Sequence, residues 1–353
     1  MQREFGYIGD TAIHAITLAG DGLAAEVLTY GGTLRKLRIE TGRGPVDVVL
    51  GLPDLEAYRR DRDYLGVLVG RFGNRIAGAR YEFQGRRYAL SANEGANHLH
   101  GGELGFGRRI WTVAAHEPHR LLLQYLSPDG EEGYPGELRV DAEFLLSRQR
   151  LQLTYRASAN AVTPVNLTHH PYFNLAGDPT VPAAAQMLHV PADRYLPVDQ
   201  QLIPTGEIAD VSGTPFDFRT PMTLDERRMQ DAAQLRIGGG FDHCLVLSGQ
   251  HRCTAELYSP HSGVAMRITS NAPAVQLYEG HGLDRSHPEL GRGVCLEPQG
   301  FPDAPNRPHF PSTLLRPGET YEHRIVYQFA VPGAHADWSA VLAALDAADK
   351  HER

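Results

Sequence analysis

Five clusters in this 353-residue chain carry side chains able to move protons or hold polar ligands. Glu297 closes the apolar run Val294-Cys295-Leu296 and precedes a stiff loop, Pro298-Gln299-Gly300-Phe301-Pro302-Asp303-Ala304-Pro305-Asn306. A carboxylate so placed is expected to be partly desolvated, which raises its basicity. His170 stands in Asn166-Leu167-Thr168-His169-His170-Pro171-Tyr172-Phe173-Asn174-Leu175. An imidazole titrates near neutral pH and suits proton transfer. If this segment is extended, Asn166, Thr168 and His170 share one face and His169 takes the other, so the two adjacent histidines cannot reach one site.

The other three clusters are suited to binding. Gly70-Arg71-Phe72-Gly73-Asn74-Arg75-Ile76 sets two guanidinium forks and an amide among glycines, either as hydroxyl or carboxylate grips or as a solvated surface turn. Asn97-His98-Leu99-His100-Gly101-Gly102 holds two histidines two apart. On a strand they would share a face and could ligate a metal, but no third ligand lies nearby in sequence. Gly240-Phe241-Asp242-His243 follows Gly238-Gly239 and places Asp242 either in a site or in a turn. By residue type alone, a lone Glu with several His also fits a metal site, and Asp242 with Glu297 could be the two carboxyls of a glycosidase.

These side chains need rigid elements to hold them. Short runs rich in Val, Leu, Ile, Tyr and Phe recur at residues 24–30, 46–50, 121–126, 138–145, 151–157, 265–269 and 321–329. Several alternate apolar and polar residues, as in Leu151-Gln152-Leu153-Thr154-Tyr155, which is the period of a half-buried strand. Turn signals such as Gly31-Gly32, Pro128-Asp129-Gly130 and Pro317-Gly318 separate them. Helical periodicity is confined to residues 224–235 and 338–350. Many strands with few helices predict a large β-sandwich rather than alternating βαβ units. Residues 291–317 read as a proline-rich loop.

Composition bounds the partners. The apolar fraction of 42% and charged fraction of 22% are ordinary for a globular chain. Net charge is −8, and the basic side is nearly all arginine, with Lys36 and Lys350 the only lysines. No long basic run predicts nucleic acid or an anionic membrane as partner. Cys244, Cys253 and Cys295 are odd in number and lack CxxC spacing, which argues against a disulfide scaffold and against a thiolate zinc site. No apolar stretch approaches a membrane span and no secretory leader is visible, so a cytoplasmic location is the default expectation. No composition shift marks a boundary, and the chain reads as one domain over residues 1–353.

Taken together and in order, the clusters resemble the galactose mutarotase, or aldose 1-epimerase, family. The resemblance runs from about Tyr30 to Phe329. It rests on Val69-Gly70-Arg71-Phe72-Gly73-Asn74-Arg75-Ile76, Leu99-His100-Gly101-Gly102, the segment from Asn166 to Leu175, Gly240-Phe241-Asp242-His243, Val275-Gln276-Leu277-Tyr278 and Leu296-Glu297-Pro298-Gln299 with Pro302-Asp303-Ala304-Pro305-Asn306. It implies an all-β fold, the large antiparallel supersandwich of that family with few short helices. It implies an open sugar cleft and catalysis with no metal and no organic cofactor.

The resemblance further implies that Glu297 is the general base and His170 the general acid. His100 would hydrogen-bond substrate near the ring oxygen. Asn74, Arg75, Asp242 and Gln276 would be substrate contacts, and Arg71, His98, His169 and His243 would lie outside the chemistry. The implied activity is interconversion of the α and β anomers of free aldohexoses such as galactose and glucose, by a monomer or homodimer. A hexose 6-phosphate epimerase, which needs extra cations, and a non-catalytic sugar-binding module are the competing readings. The chain departs from the family at Tyr278-Glu279-Gly280-His281 and at Gly105-Phe106-Gly107. The first departure points to Glu279 and His281 as the rim where sugar preference is set.

Overall fold

The computed structural model describes residues 1–248 and 253–350. Three antiparallel sheets dominate. A nine-stranded sheet runs in the order Thr112–Glu117, Arg120–Ser127, Leu138–Ser147, Arg150–Ala159, Tyr321–Ala330, Ala265–Ser270, Ala255–Tyr258, Met187–His189 and Met222–Thr223. A five-stranded sheet, Gln2–Ile8 through Gly44–Asp47, is an N-terminal meander. A second five-stranded sheet runs Ala209–Asp210, Ala192–Leu196, Asp242–Leu247, Ala274–Tyr278 and Cys295–Gln299. The all-β sandwich expected from the strand pattern is the fold observed.

Alternation explains the layering. Along Leu138–Ser147 every second residue is buried, so Leu138, Val140, Ala142, Phe144 and Leu146 form one inward face. They meet Leu18 and Val27 of the N-terminal sheet, and Leu277 and Leu296 of the third sheet, in one continuous core. Truncating Phe144 to alanine there would cost about 3–5 kcal/mol.

The seven expected strand runs all carry strand, with shifted ends. The run at 46–50 is the least complete. Its strand Gly44–Asp47 stops early, and Val49 instead makes a single bridge to Phe173. The helix expected over residues 338–350 is present as Trp338–Lys350, burying Val341 and Leu345.

The helix expected over residues 224–235 is two short ones, Leu224–Arg228 and Ala233–Gly238. Thr223 and Glu226 form a reciprocal cap at the start of the first. Met229, between the two helices, is 87% exposed. A helix crossing that point would have no packing to repay its order. The region expected to be loop, residues 291–317, is irregular except that it contains the strand Cys295–Gln299, the 3-10 turn Ala304–Asn306 and the short strand Leu314–Leu315.

Candidate active site

Glu297 lies in the middle of the edge strand Cys295–Gln299, not at its end. Pro298 has no N–H to offer a ladder, which an edge strand tolerates. The strand is fastened from outside. Thr168 Oγ1 donates to the Pro298 carbonyl at 2.8 Å, and Asn166 Oδ1 accepts from the Gly300 N–H at 2.7 Å. Two residues of the His170 segment therefore hold the strand that carries Glu297.

His170 follows the two-residue strand Thr168–His169, whose partner is Leu68–Val69. Its N–H donates to Val67 and its carbonyl accepts from Gly66. The alternation expected from sequence is observed. His169 turns into the core, its Nδ1 3.0 Å from the Tyr327 hydroxyl, while His170 faces a cavity. Nε2 of His170 lies 3.5 Å from Oε1 of Glu297.

His98 and His100 do not share a face. The strand His98–Leu99 ends before His100, whose φ is +49°. His98 is held by the Ser91 carbonyl and the Tyr134 hydroxyl, away from the cavity. Gly101 makes this turn possible, because a Cβ there would stand 1.7 Å from the Gly70 carbonyl oxygen. The His100 ring packs edge-on to His170 at 5.2 Å and lies 4.6 Å from the ring of Tyr64. Tyr64 had no signal in sequence. Its place against both histidines comes from a loop that takes φ +59° at that residue.

The cavity has a volume of about 260 Å3. Its wall includes Asn74, Arg75, His100, His170, Asp242 and Glu297 of the expected set, together with Tyr64, Glu94, Tyr172, Tyr278 and His281. Gln276 is not on that wall. Its strand register sets it opposite Glu297, and its amide is spent on Asp242, donating to Oδ1 at 2.6 Å. Gln276 thus reaches the cavity through Asp242. Arg75 is clamped by both oxygens of Glu94 at 2.7 Å and stands 3.5 Å from Asp242 Oδ2. A larger cavity of about 590 Å3, lined by residues such as Pro273, Thr313 and Tyr321, holds neither Glu297 nor His170.

Arg71 is not a solvated turn residue. It is buried, and its guanidinium donates to Ser127 and to the carbonyls of Pro128, Pro135 and Gly136. His243 is also structural, accepting from the Asp242 N–H and meeting Gln234. Of the two rim departures, only His281 reaches the cavity. Glu279 is buried behind it and paired with Arg228 at 2.8 Å and Arg292 at 3.3 Å. Phe106 is a core residue.

Burial dominates the electrostatics. It pushes the Glu297 carboxyl well above its ordinary range, with Asp242 adding to the rise and Arg75 opposing it. It pushes His170 down to about 4, while Asp242 and Asp63 pull the other way. His100 also falls well below the usual histidine range, through burial and then the neighbouring His170 and Arg75. Between about pH 4.3 and 6.5 the ordinary values of Glu and His would leave a carboxylate beside an imidazolium. Burial instead drives both groups toward neutrality there. The proton count of the pair is the same either way, because one proton moves between two groups 3.5 Å apart.

His100, His170 and Glu297 bring three ligand atoms within 4.8 Å of one another, the donor set of a catalytic zinc site. A bond from the backbone argues against that use. The Asn74 N–H donates to Nδ1 of His100 at 3.2 Å, so Nδ1 keeps its lone pair and Nε2 carries the proton. That imidazole presents an N–H donor, not a ligand lone pair, to whatever occupies the cavity.

Residues 14–328 match the family model described as aldose 1-epimerase. The chain belongs to the aldose 1-epimerase family. It is 40% identical to the galactose mutarotase of Bos taurus over 92% of this chain and 96% of that protein. It is 35% identical to the aldose 1-epimerase of Escherichia coli (strain K12), over 87% and 92% of the two chains. The solved GalM/aldose epimerase homologue from C. elegans matches with a TM-score of 0.83 at 32% identity, covering 90% of this chain and 98% of that one. The galactose 1-epimerase of Lactobacillus acidophilus NCFM matches with a TM-score of 0.82 at 29% identity. Family membership accounts for the order of the six motifs along the chain.

Proposed function

We propose that this family member is an aldose 1-epimerase, interconverting α and β anomers of free aldohexoses such as galactose and glucose. Glu297 is its base, His170 its acid. The carrying observation is the 3.5 Å separation of His170 Nε2 and Glu297 Oε1 on the wall of one cavity. A hemiacetal carbon bears two oxygens, the C1 hydroxyl and the ring oxygen. Opening the ring removes a proton from the first and delivers one to the second. An acid and a base must therefore lie within a single carbon's reach of each other.

Glu297 takes the hydroxyl proton as its C–O bond becomes a carbonyl. The C1–ring oxygen bond breaks, and His170 protonates the leaving oxygen. Rotation about C1–C2 exposes the other carbonyl face, and closure with the roles reversed gives the other anomer. His100, held as an Nε2–H donor, hydrogen-bonds the ring oxygen. Arg75 favours the Glu297 carboxylate, and Asp242 and Asp63 favour the His170 imidazolium. Asp242, Arg75 and Asn74 hold the sugar's remaining hydroxyls, which fixes C1 over the pair.

A glycosidase reading loses support from Asp242. Its two oxygens already face donors on Gln276 and Arg75, so it is arranged as an acceptor rather than as a second proton-donating carboxyl. Among the described residues no helix is long and apolar enough to cross a membrane. We read the chain as one catalytic unit acting in the cytoplasm on a small sugar. Polarimetry of freshly dissolved α-galactose and α-glucose tests the activity. Acceleration of mutarotation supports it, and sugar binding with no acceleration overturns it.

A further inference from the structure

The sheet face that carries Glu297 has a hydrogen-bond imbalance. Four buried side-chain atoms on that face have no partner among the described residues: Glu297 Oε2, Gln276 Oε1, and both Nε2 and Oε1 of Gln299. The register is regular, with Gln276 opposite Glu297 and Ala274 opposite Gln299. Gln299 is two residues beyond Glu297 on one strand, so the three side chains share a face. Gln276 and Glu297, directly opposed, have Cβ atoms about 4.5–5.5 Å apart, and Gln299, two residues along the same strand, stands about 6.4–6.8 Å from Glu297 at the rise of a strand, a span that two long side chains can bridge. Gln299 is fully buried. An amide buried with neither end satisfied needs a reason.

The donor count supplies one. The Gln276 amide nitrogen is committed to Asp242, so its oxygen must point elsewhere. Of the four unpaired atoms, three are acceptors when Glu297 is ionised, and the amide nitrogen of Gln299 is the single donor. When Glu297 is protonated, its own O–H becomes a donor and Gln276 Oε1 is an available acceptor.

We infer that Gln299 is a positioning residue for the base, supplying the hydrogen bond that Glu297 Oε2 takes up in its ionised form. Gln276 Oε1 then receives the bond that Glu297 gives in its protonated form. The two amides serve the two protonation states in turn. The inference rests on the reading of Glu297 as catalytic base. Glu297 is faced by His170, Asp242, Arg75, Cys244, Cys295 and Tyr327, and Oε2 takes a hydrogen bond from none of them.

The test compares wild type with Gln299→Met and Gln299→Asn across pH. A donor to a carboxylate stabilises its charged form, so removing it raises the base's pKa. Gln299→Met is expected to move the acidic limb of kcat/KM upward by about one unit and to lower kcat about tenfold at neutral pH. Its melting temperature should hold or rise, since an unsatisfied buried amide becomes apolar. Gln299→Asn, which keeps the donor on a shorter arm, should fall between. A merely structural Gln299 would lower the melting temperature and leave the limb in place, and that result overturns the inference. Failure of both variants to fold also overturns it. If wild type itself does not accelerate mutarotation, the reading of the site fails first. If wild type is active and Glu297→Gln is not, an unmoved limb in the Gln299 variants fails this inference alone.

Discussion

The backbone N–H of Asn74 donates to Nδ1 of His100 and so decides what that imidazole can do. With the proton on Nε2, His100 is a donor facing the cavity. It is not a base, and it is not a metal ligand. Chelation is therefore expected to leave the rate unchanged. The check is mutarotation after exhaustive EDTA treatment. A loss restored by adding back a divalent metal would falsify the tautomer argument.

Glu297→Gln should abolish catalysis while sugar binding persists. Removing a positioned proton acceptor typically costs about a hundred- to ten-thousand-fold. The same substitution should stabilise the fold. The folded-state pKa of Glu297 is raised, so its contribution to stability is intact below the ordinary Glu value. It is lost as pH rises through the folded value. At neutral and alkaline pH the neutral amide avoids that loss, by about 1–3 kcal/mol. Calorimetry alongside polarimetry checks both halves. Retained activity sinks the base assignment, and a lower melting temperature at pH 8 sinks the burial argument.

Acid should unfold this protein early. Burial holds His170, His243 and His323 down at about 4 and His169 at about 3. The unfolded chain protonates these groups near their ordinary pKa of about 6.5, while the folded chain does not. Their contribution is thus complete above about 6.5 and is lost progressively as pH falls through the folded values. Melting temperature should drop steeply between pH 6.5 and 4. His323, which is not on the cavity wall, bonds the Leu167 carbonyl and Ser270. His323→Gln should flatten that slope without altering the activity profile, whereas a slope equal to that of wild type counts against the account.

Asp242→Asn separates binding from chemistry. The carboxylate anchors Gln276 and faces Arg75, and in the proposed complex it also accepts from sugar hydroxyls. The variant should raise KM about tenfold or more, with a smaller fall in kcat, because one buried charge-assisted set is lost. A kcat loss as deep as that of Glu297→Gln, with KM unchanged, would show Asp242 to be a proton-transfer group instead.

His281→Ala should change the ratio of galactose to glucose turnover, since that ring sits on the cavity wall 5.0 Å from Tyr278. Glu279→Gln should instead lower stability with little change in the ratio, because Glu279 is a buried ion-pair partner of Arg228 and Arg292. A panel of aldoses with melting curves distinguishes the two. Equal effects on the ratio would return Glu279 to the rim.

Local pattern was enough for much of this. Period-two alternation marked the strands because a sheet face is set two residues at a time. It also separated His170 from His169, since neighbours on an extended chain must diverge. The family resemblance paired Glu297 with His170 across 126 intervening positions, which no local rule reaches. What depended on tertiary structure were the properties set by surroundings. His98 and His100 part company because a glycine-dependent turn breaks the strand between them. Gln276 stands behind Asp242 because strand register, not residue type, chooses its partner. The depth to which Glu297 and His170 are buried, and hence the direction in which each pKa moves, belongs to three packed sheets and to no segment alone. Desolvation is a sum over everything within several ångströms, and a chain read in order does not contain that sum.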